Sequence, residues 1–240
     1  MLTKNRTVAN SLFFCIIIIV KLPVSETFYS IQGEGVNVGR PALFIRVYGC
    51  NKRCVWCDSS YSYEGGSYSL FSEERVIRMI EQSFVKTVVL TGGEPAIYHD
   101  FFSRLIDLAP AAYFMETNGT IWIEDLIEKL DFISISPKLS SSGADFDIGL
   151  IKRYVDNVHN GEIKFVIADM QDIEEAIGII NALSNKKNAV SIVFQPAEIS
   201  GEDYLHQIQM VYQAIMKNQF LNSLKTLRFI PQVHKLCNLK

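Results

Sequence analysis

From Lys21 onward, short apolar runs alternate with amphipathic stretches, and that alternation leaves few folds open. Runs at 42–47, 86–90, 112–115, 132–135, 162–167, 190–194 and 227–230 read as buried strands. Helical stretches fall between them. Ser72 can cap one, with Glu73 and Glu74 in its first turn and Val76, Ile77, Ile80 and Phe84 on one face. Phe101, Leu105 and Leu108 mark the next, and others are expected at 124–130, 147–157, 173–183 and 202–219. Strands that alternate with helices form βαβ units and a parallel sheet. Six units plus a final strand are fewer than an eightfold barrel needs. The expected fold is therefore α/β, a partial (βα)6 TIM-like barrel with parallel strands. An open doubly wound sheet is the alternative.

A 48% apolar fraction, with 20% charged residues, is enough to build such a core. The net charge of −3 argues against a general grip on nucleic acid, which needs a basic face. Residues 11–20 (SLFFCIIIIV) follow Lys4 and Arg6 and have the outline of a signal peptide. The run is shorter than the roughly 20 residues a membrane span takes. Residues 1–20 read as an N-terminal extension, either non-native from a misassigned start or genuine, with secretion a third reading. Residues 21–240 then form one domain. No membrane association is expected.

Polar residues gather where strands end. Cys50 follows the first run, and residues 91–95 (TGGEP) follow the second. Residues 116–119 (ETNG), 136–138 (SPK) and Gln195-Pro196 follow later ones. Parallel sheets and barrels place their sites at these ends. Cys50, Cys54 and Cys57 give the spacing C-x3-C-x2-C. Three thiolates on one loop can hold three irons of a 4Fe–4S cluster and leave the fourth open. Structural zinc is the rival, with His99, His159, His206 or His234 as a fourth ligand, and unrelated thiols are a third possibility. Cys15 and Cys237 read as incidental. Gly92 and Gly93 would let a ligand approach backbone closely, and Glu94 adds an acceptor for an amine.

C-x3-C-x2-C followed by Gly-Gly-Glu-Pro resembles the radical S-adenosylmethionine superfamily. Residues 25–35 (SETFYSIQGEG), Gly39-Arg40-Pro41, the 42–47 strand, Cys57-Asp58 and residues 228–235 (RFIPQVHK) resemble the 7-carboxy-7-deazaguanine synthase family. The similarity runs from about residue 21 to 235. It implies a lyase that contracts 6-carboxy-5,6,7,8-tetrahydropterin to 7-carboxy-7-deazaguanine with loss of ammonia, in queuosine biosynthesis. A 5′-deoxyadenosyl radical would abstract and return one hydrogen. Cofactors would be the 4Fe–4S cluster on Cys50, Cys54 and Cys57, S-adenosylmethionine, and Mg2+ on Ser59, where the family usually has threonine. Ile31, Gln32, Gly33, Arg46 and Thr91 would contact substrate. Trp56, Cys57, Asp58, Gly93, Glu94, Ser136, Pro137, Lys138, Gln195, Pro196, Ala197 and Glu198 would contact S-adenosylmethionine. The resemblance also implies a flavodoxin- or ferredoxin-like reductant, a homodimer and a cytoplasmic location. Family members often end in a Gly/Pro-containing segment that reaches substrate, whereas this chain ends in residues 236–240 (LCNLK). Competing readings are a radical S-adenosylmethionine activase of a protein partner and a non-catalytic zinc module. The activase leaves residues 31–35 and Arg46 without a role.

Overall fold

The computed structural model describes residues 21–183 and 190–239. Residues 1–20, including Cys15, lie outside the described residues. Seven parallel strands form the body of the sheet: β2 (Pro41–Val47), β4 (Thr87–Gly92), β5 (Ala112–Thr117), β6 (Phe132–Ile135), β7 (Gly161–Ile167), β8 (Ser191–Pro196) and β9 (Leu227–Phe229). They lie side by side in chain order, as a barrel requires, but the sheet does not close. The expected partial barrel is therefore the observed fold. Its crossovers carry α1 (Glu73–Glu81), α2 (His99–Leu108), α3 (Glu124–Ile127), α4 (Ile148–Asn157), α5 (Met170–Ala182), α6 (Tyr204–Lys217) and α7 (Gln219–Ser223). The short α8 (Val233–Leu236) follows β9.

Two further strands extend the edge. β1 (Leu22–Ile31) runs antiparallel to β2, and β3 (Ser69–Phe71) antiparallel to β1. Neither reads as a strand in the sequence. The alternation of β1 is interrupted by Pro23, Ser25, Glu26 and Ser30, and its register shifts between Val24 and Glu26. The helix starts are better marked. Ser72 caps α1 by accepting from the Arg75 amide at 3.3 Å, and Asp147 caps α4.

The sheet has two unlike faces because side chains alternate. The outer face buries Leu43, Ile45, Val88, Leu90, Met115, Ile133, Ile163 and Phe194 against the helices. Full burial of such a side chain contributes roughly 1.5–3 kcal/mol. The inner face is apolar only at its base, where Ala42, Phe44, Val89, Phe114 and Phe132 form a separate plug. The Phe28 and Phe44 rings stack there at 4.9 Å. Two residues further along each strand the same face turns polar, and the plug becomes the floor of a cavity.

Candidate active site

A cavity of about 420 Å3 opens at the carboxyl ends of the parallel strands. Register builds its lower wall. Glu26 pairs with Arg46, Arg46 with Thr91, Glu116 with Ser134, and Ser134 with Glu162. One polar rank thus crosses six strands directly above the aromatic plug. Gln32 Nε2 donates to Glu116 Oε1 (2.8 Å), and Thr91 Oγ1 donates to Glu116 Oε2 (2.7 Å). Arg46 Nε donates to Glu26 Oε1 at 2.9 Å, and Tyr61 donates to the same oxygen at 2.7 Å. Burial works against the Arg46 charge, but Tyr61, Glu116 and Glu26 outweigh it and raise its pKa. Arg46 therefore enters the cavity charged.

Lys164 lies on β7 beneath the same opening and pairs with Glu34, whose other oxygen accepts from Gln232 Nε2 at 2.5 Å. Glu162 accepts from the Val36 amide (2.7 Å) and from Ser134 (2.7 Å). Burial pushes the Glu162 carboxyl up, only partly offset by Lys164. Glu34 is driven the other way. Burial would raise it, but Lys164 and Gln232 hold it well below the usual carboxylate range.

The upper wall carries the cysteines. Cys50, Cys54 and Cys57 all line the cavity and are half-buried free thiols. Burial raises the Cys50 and Cys54 thiols. The loop rests on the end of β4. A Cβ on Gly93 would lie 2.0 Å from the Gly49 carbonyl oxygen and 3.0 Å from Cys50 Cβ, so only glycine lets this backbone reach the first cysteine. Among the described residues, no group of three or more His, Cys, Asp or Glu gathers around a single ion point. Three thiols on one loop match a cluster that takes one thiolate per iron, whereas a closed zinc tetrahedron takes four protein ligands. Exposed Cys237 sits at the end of α8, outside the cavity lining.

Cofactor candidates surround these thiols. Trp56, Asp58, Gly93, Glu94, Ser136, Lys138, Gln195 and Glu198 line the cavity, and Lys138 Nζ lies 5.8 Å from the centre of the Trp56 ring. Glu94 is buried and accepts from Thr117 (2.7 Å), the Asn118 amide (2.7 Å) and the Ala96 amide (2.9 Å). A carboxylate has about four lone-pair sites, which leaves one for an amine. Burial raises its pKa despite these donors. Ser59 lines the cavity with its hydroxyl 3.8 Å from the Cys57 sulfur. Pro137, Pro196 and Ala197 are placed differently. They are buried beside the site without lining it, and Ala197 donates its amide to Ile167 O at 2.8 Å. They shape the strand ends that present Lys138 and Glu198.

Ile31, Gln32, Gly33, Arg46 and Thr91 all line the cavity, with Thr91 two residues before Gly93, on which the thiol loop rests. The chain's end closes over them. Val233 donates its amide to Gly33 O at 2.8 Å, and Lys235 pairs with Asp58 (3.1 Å) and with Glu198. A Cβ on Gly33 would come within 2.1 Å of His234 Nδ1. The sequence reading did not assign Glu26, Glu34, Glu116, Glu162 or Lys164 to the site. Glu162 and Lys164 gave the same signal that marks Arg46, a charge inside an apolar strand.

The radical SAM superfamily model matches residues 44–186. A 7-carboxy-7-deazaguanine synthase of Thermoplasma acidophilum is 32% identical over 220 residues, covering 89% of this chain and 95% of that protein. One from Aquifex aeolicus is 31% identical, covering 91% and 94%. The crystal structure of QueE from Escherichia coli superposes with a TM-score of 0.67 at 25% identity, covering 89% and 95%. The thiol loop, the strand-end cavity and these relatives converge: the chain is a radical SAM enzyme and belongs to the 7-carboxy-7-deazaguanine synthase family.

Proposed function

We propose that this cavity contracts 6-carboxy-5,6,7,8-tetrahydropterin to 7-carboxy-7-deazaguanine, releasing ammonia, on the route to queuosine. The observation that carries this reading is the polar rank. Arg46, Thr91, Gln32 and Glu116 line the cavity that the three thiols also line, and Glu116 ties Gln32 and Thr91 together. When bound, the 4Fe–4S cluster and S-adenosylmethionine supply one-electron hydrogen-atom abstraction. The protein supplies placement. The Arg46 guanidinium offers its fork to the substrate carboxylate, and its Nε bond to Glu26 sets the fork's direction. Glu116 holds the Gln32 amide and the Thr91 hydroxyl in one orientation, so their free donor and acceptor positions face a heterocycle edge. Ser59 would offer Mg2+ one oxygen ligand, with substrate oxygens and water completing the shell. Lys235 bridges Asp58 and Glu198 and narrows the opening, which limits water.

A low-potential electron carrier, a homodimeric state and a reducing, cytoplasmic setting suit this chemistry. Among the described residues no helix is long and apolar enough to cross a membrane. The test is anaerobic reconstitution followed by turnover with the carboxypterin, reading the deazaguanine chromophore and ammonia together. Turnover of both supports the reading. Cleavage of S-adenosylmethionine without either product would favour an activase instead.

A further inference from the structure

Asp172, in the first turn of α5, is completely buried, yet it carries a carboxylate. It is not idle in the fold. Its oxygens accept from the Ala168 amide (2.7 Å), the Ser141 amide (3.3 Å) and the Ser141 hydroxyl (2.6 Å). The Ser141 hydroxyl in turn accepts from the indole Nε1–H of Trp56 at 3.1 Å. Trp56 lies between the second and third cysteines and lines the cavity. A chain of hydrogen bonds therefore runs from a buried anion behind the sheet to an aromatic wall of the cofactor pocket.

We propose that Asp172 is a positioning residue: through Ser141 it fixes the Trp56 indole in the plane that the adenosyl group of S-adenosylmethionine packs against. The inference rests on the reading of this cavity as a radical SAM site.

The direction of the relay follows from proton counting. A serine hydroxyl has one proton. An ionised carboxylate can only accept, so that proton is committed to Asp172 and the serine oxygen is left to accept from Trp56. The start of a helix favours a negative charge, and Asp172 sits in the first turn of α5. The anion is thus held by neutral donors and a helix end, and its strength as an acceptor is directed at Ser141. In either orientation an asparagine there would lose the charge and set its NH2 against a donor that now faces the carboxylate, either the Ser141 amide or the Ala168 amide and Ser141 hydroxyl. The same loop also receives the Val55 amide on Ser142 O at 2.9 Å. That second bond anchors the cysteine loop without depending on Asp172.

The test is a double-mutant cycle on cluster-loaded protein, with two readouts. One is the dissociation constant for S-adenosylmethionine by anaerobic equilibrium dialysis. The other is Trp56 emission in a Trp122→Phe background, which removes the chain's second tryptophan. Asp172→Asn and Ser141→Ala should each weaken binding about fivefold, the scale of one hydrogen bond, and shift the indole emission. In a Trp56→Phe background both should lose that effect, with iron content unchanged throughout. An equal loss with and without the indole would show that Asp172 acts through the fold alone and overturn the proposal. Unchanged binding in Ser141→Ala, which retains the carboxylate and keeps the test open if Asp172→Asn folds poorly, would overturn it too. Failure of the parent protein to bind S-adenosylmethionine at full iron content would instead overturn the cofactor reading itself.

Discussion

The thiols make the sharpest claim at the scale of single residues. Cys50, Cys54 and Cys57 share one cavity wall, whereas Cys237 is exposed on α8. Cys54→Ala should abolish the cluster absorbance and bound iron, and Cys237→Ala should leave both at wild-type levels. Iron loss in Cys237→Ala comparable to that in Cys54→Ala would refute the ligand assignment. Arg46 makes a second claim. Its guanidinium lies between the Phe28 ring, 5.8 Å from its centre, and the Tyr61 ring at 5.9 Å. Lysine keeps the charge but loses the planar fork and the stacking. Arg46→Lys should raise KM for the carboxypterin about tenfold, with a smaller change in kcat, as expected for lost uniform binding. A fall in kcat at unchanged KM would assign Arg46 to the chemical step instead.

Between elements, the decisive contact joins the two ends of the described chain. β1 delivers Gln32, Gly33 and Glu34 to the cavity, and the start of α8 is fastened to them through Gln232, Val233 and His234. Gly33→Ala would drive a methyl group into the His234 ring. Overpacking of this kind costs about 1–3 kcal/mol when the neighbour cannot yield. The cheaper response is release of α8, so amide exchange at 233–239 should quicken while the parallel strands stay protected. Unchanged protection there would mean that His234 simply swings aside. This clasp also marks the limit of sequence reading. Residues 31–35 and 232–235 each stood out as motifs, but their contact spans nearly the whole chain, and no local pattern encodes it. The parallel strands were legible because burial on both faces near their base leaves short, mainly apolar runs, interrupted at Arg46, Glu162 and Lys164. β1 was not, because Ser25, Glu26, Thr27 and Ser30 break the alternation that would have announced a strand. Trp56 was implied as a cofactor contact by the family resemblance. Its tie to Asp172 depends on a loop and a helix more than eighty residues on.

Over the whole molecule, charge burial is unevenly spread, and pH should expose it. Glu34 and Lys164, 130 residues apart, form an ion pair with side chains only 16% and 7% exposed. Removing one partner strands the other, so Glu34→Gln should cost on the order of 3 kcal/mol, and the double variant with Lys164→Met should recover much of it. The pH dependence has a definite sign. Burial would raise Glu34, but Lys164 prevails and its folded pKa is depressed. Its stabilisation is therefore complete above the ordinary glutamate value of about 4.5 and is lost as pH falls through the lower folded value. Lys164 is raised by Glu34, Glu116 and Glu162 despite burial, so its contribution holds below the ordinary lysine value of about 10.5 and fails as pH rises beyond it. Glu94 and Glu162 act oppositely. Burial raises both, and their ionisation costs stability that returns as pH falls through their raised values towards the ordinary one. Urea unfolding of the wild type on acidification should first hold or rise, then fall below about pH 4.5, where unfolded Glu34 binds a proton that folded Glu34 does not. Glu34→Gln should begin lower and fall less steeply over that last stretch. Parallel curves for the two proteins below that pH would show that Glu34 gives up no ion pair on protonation.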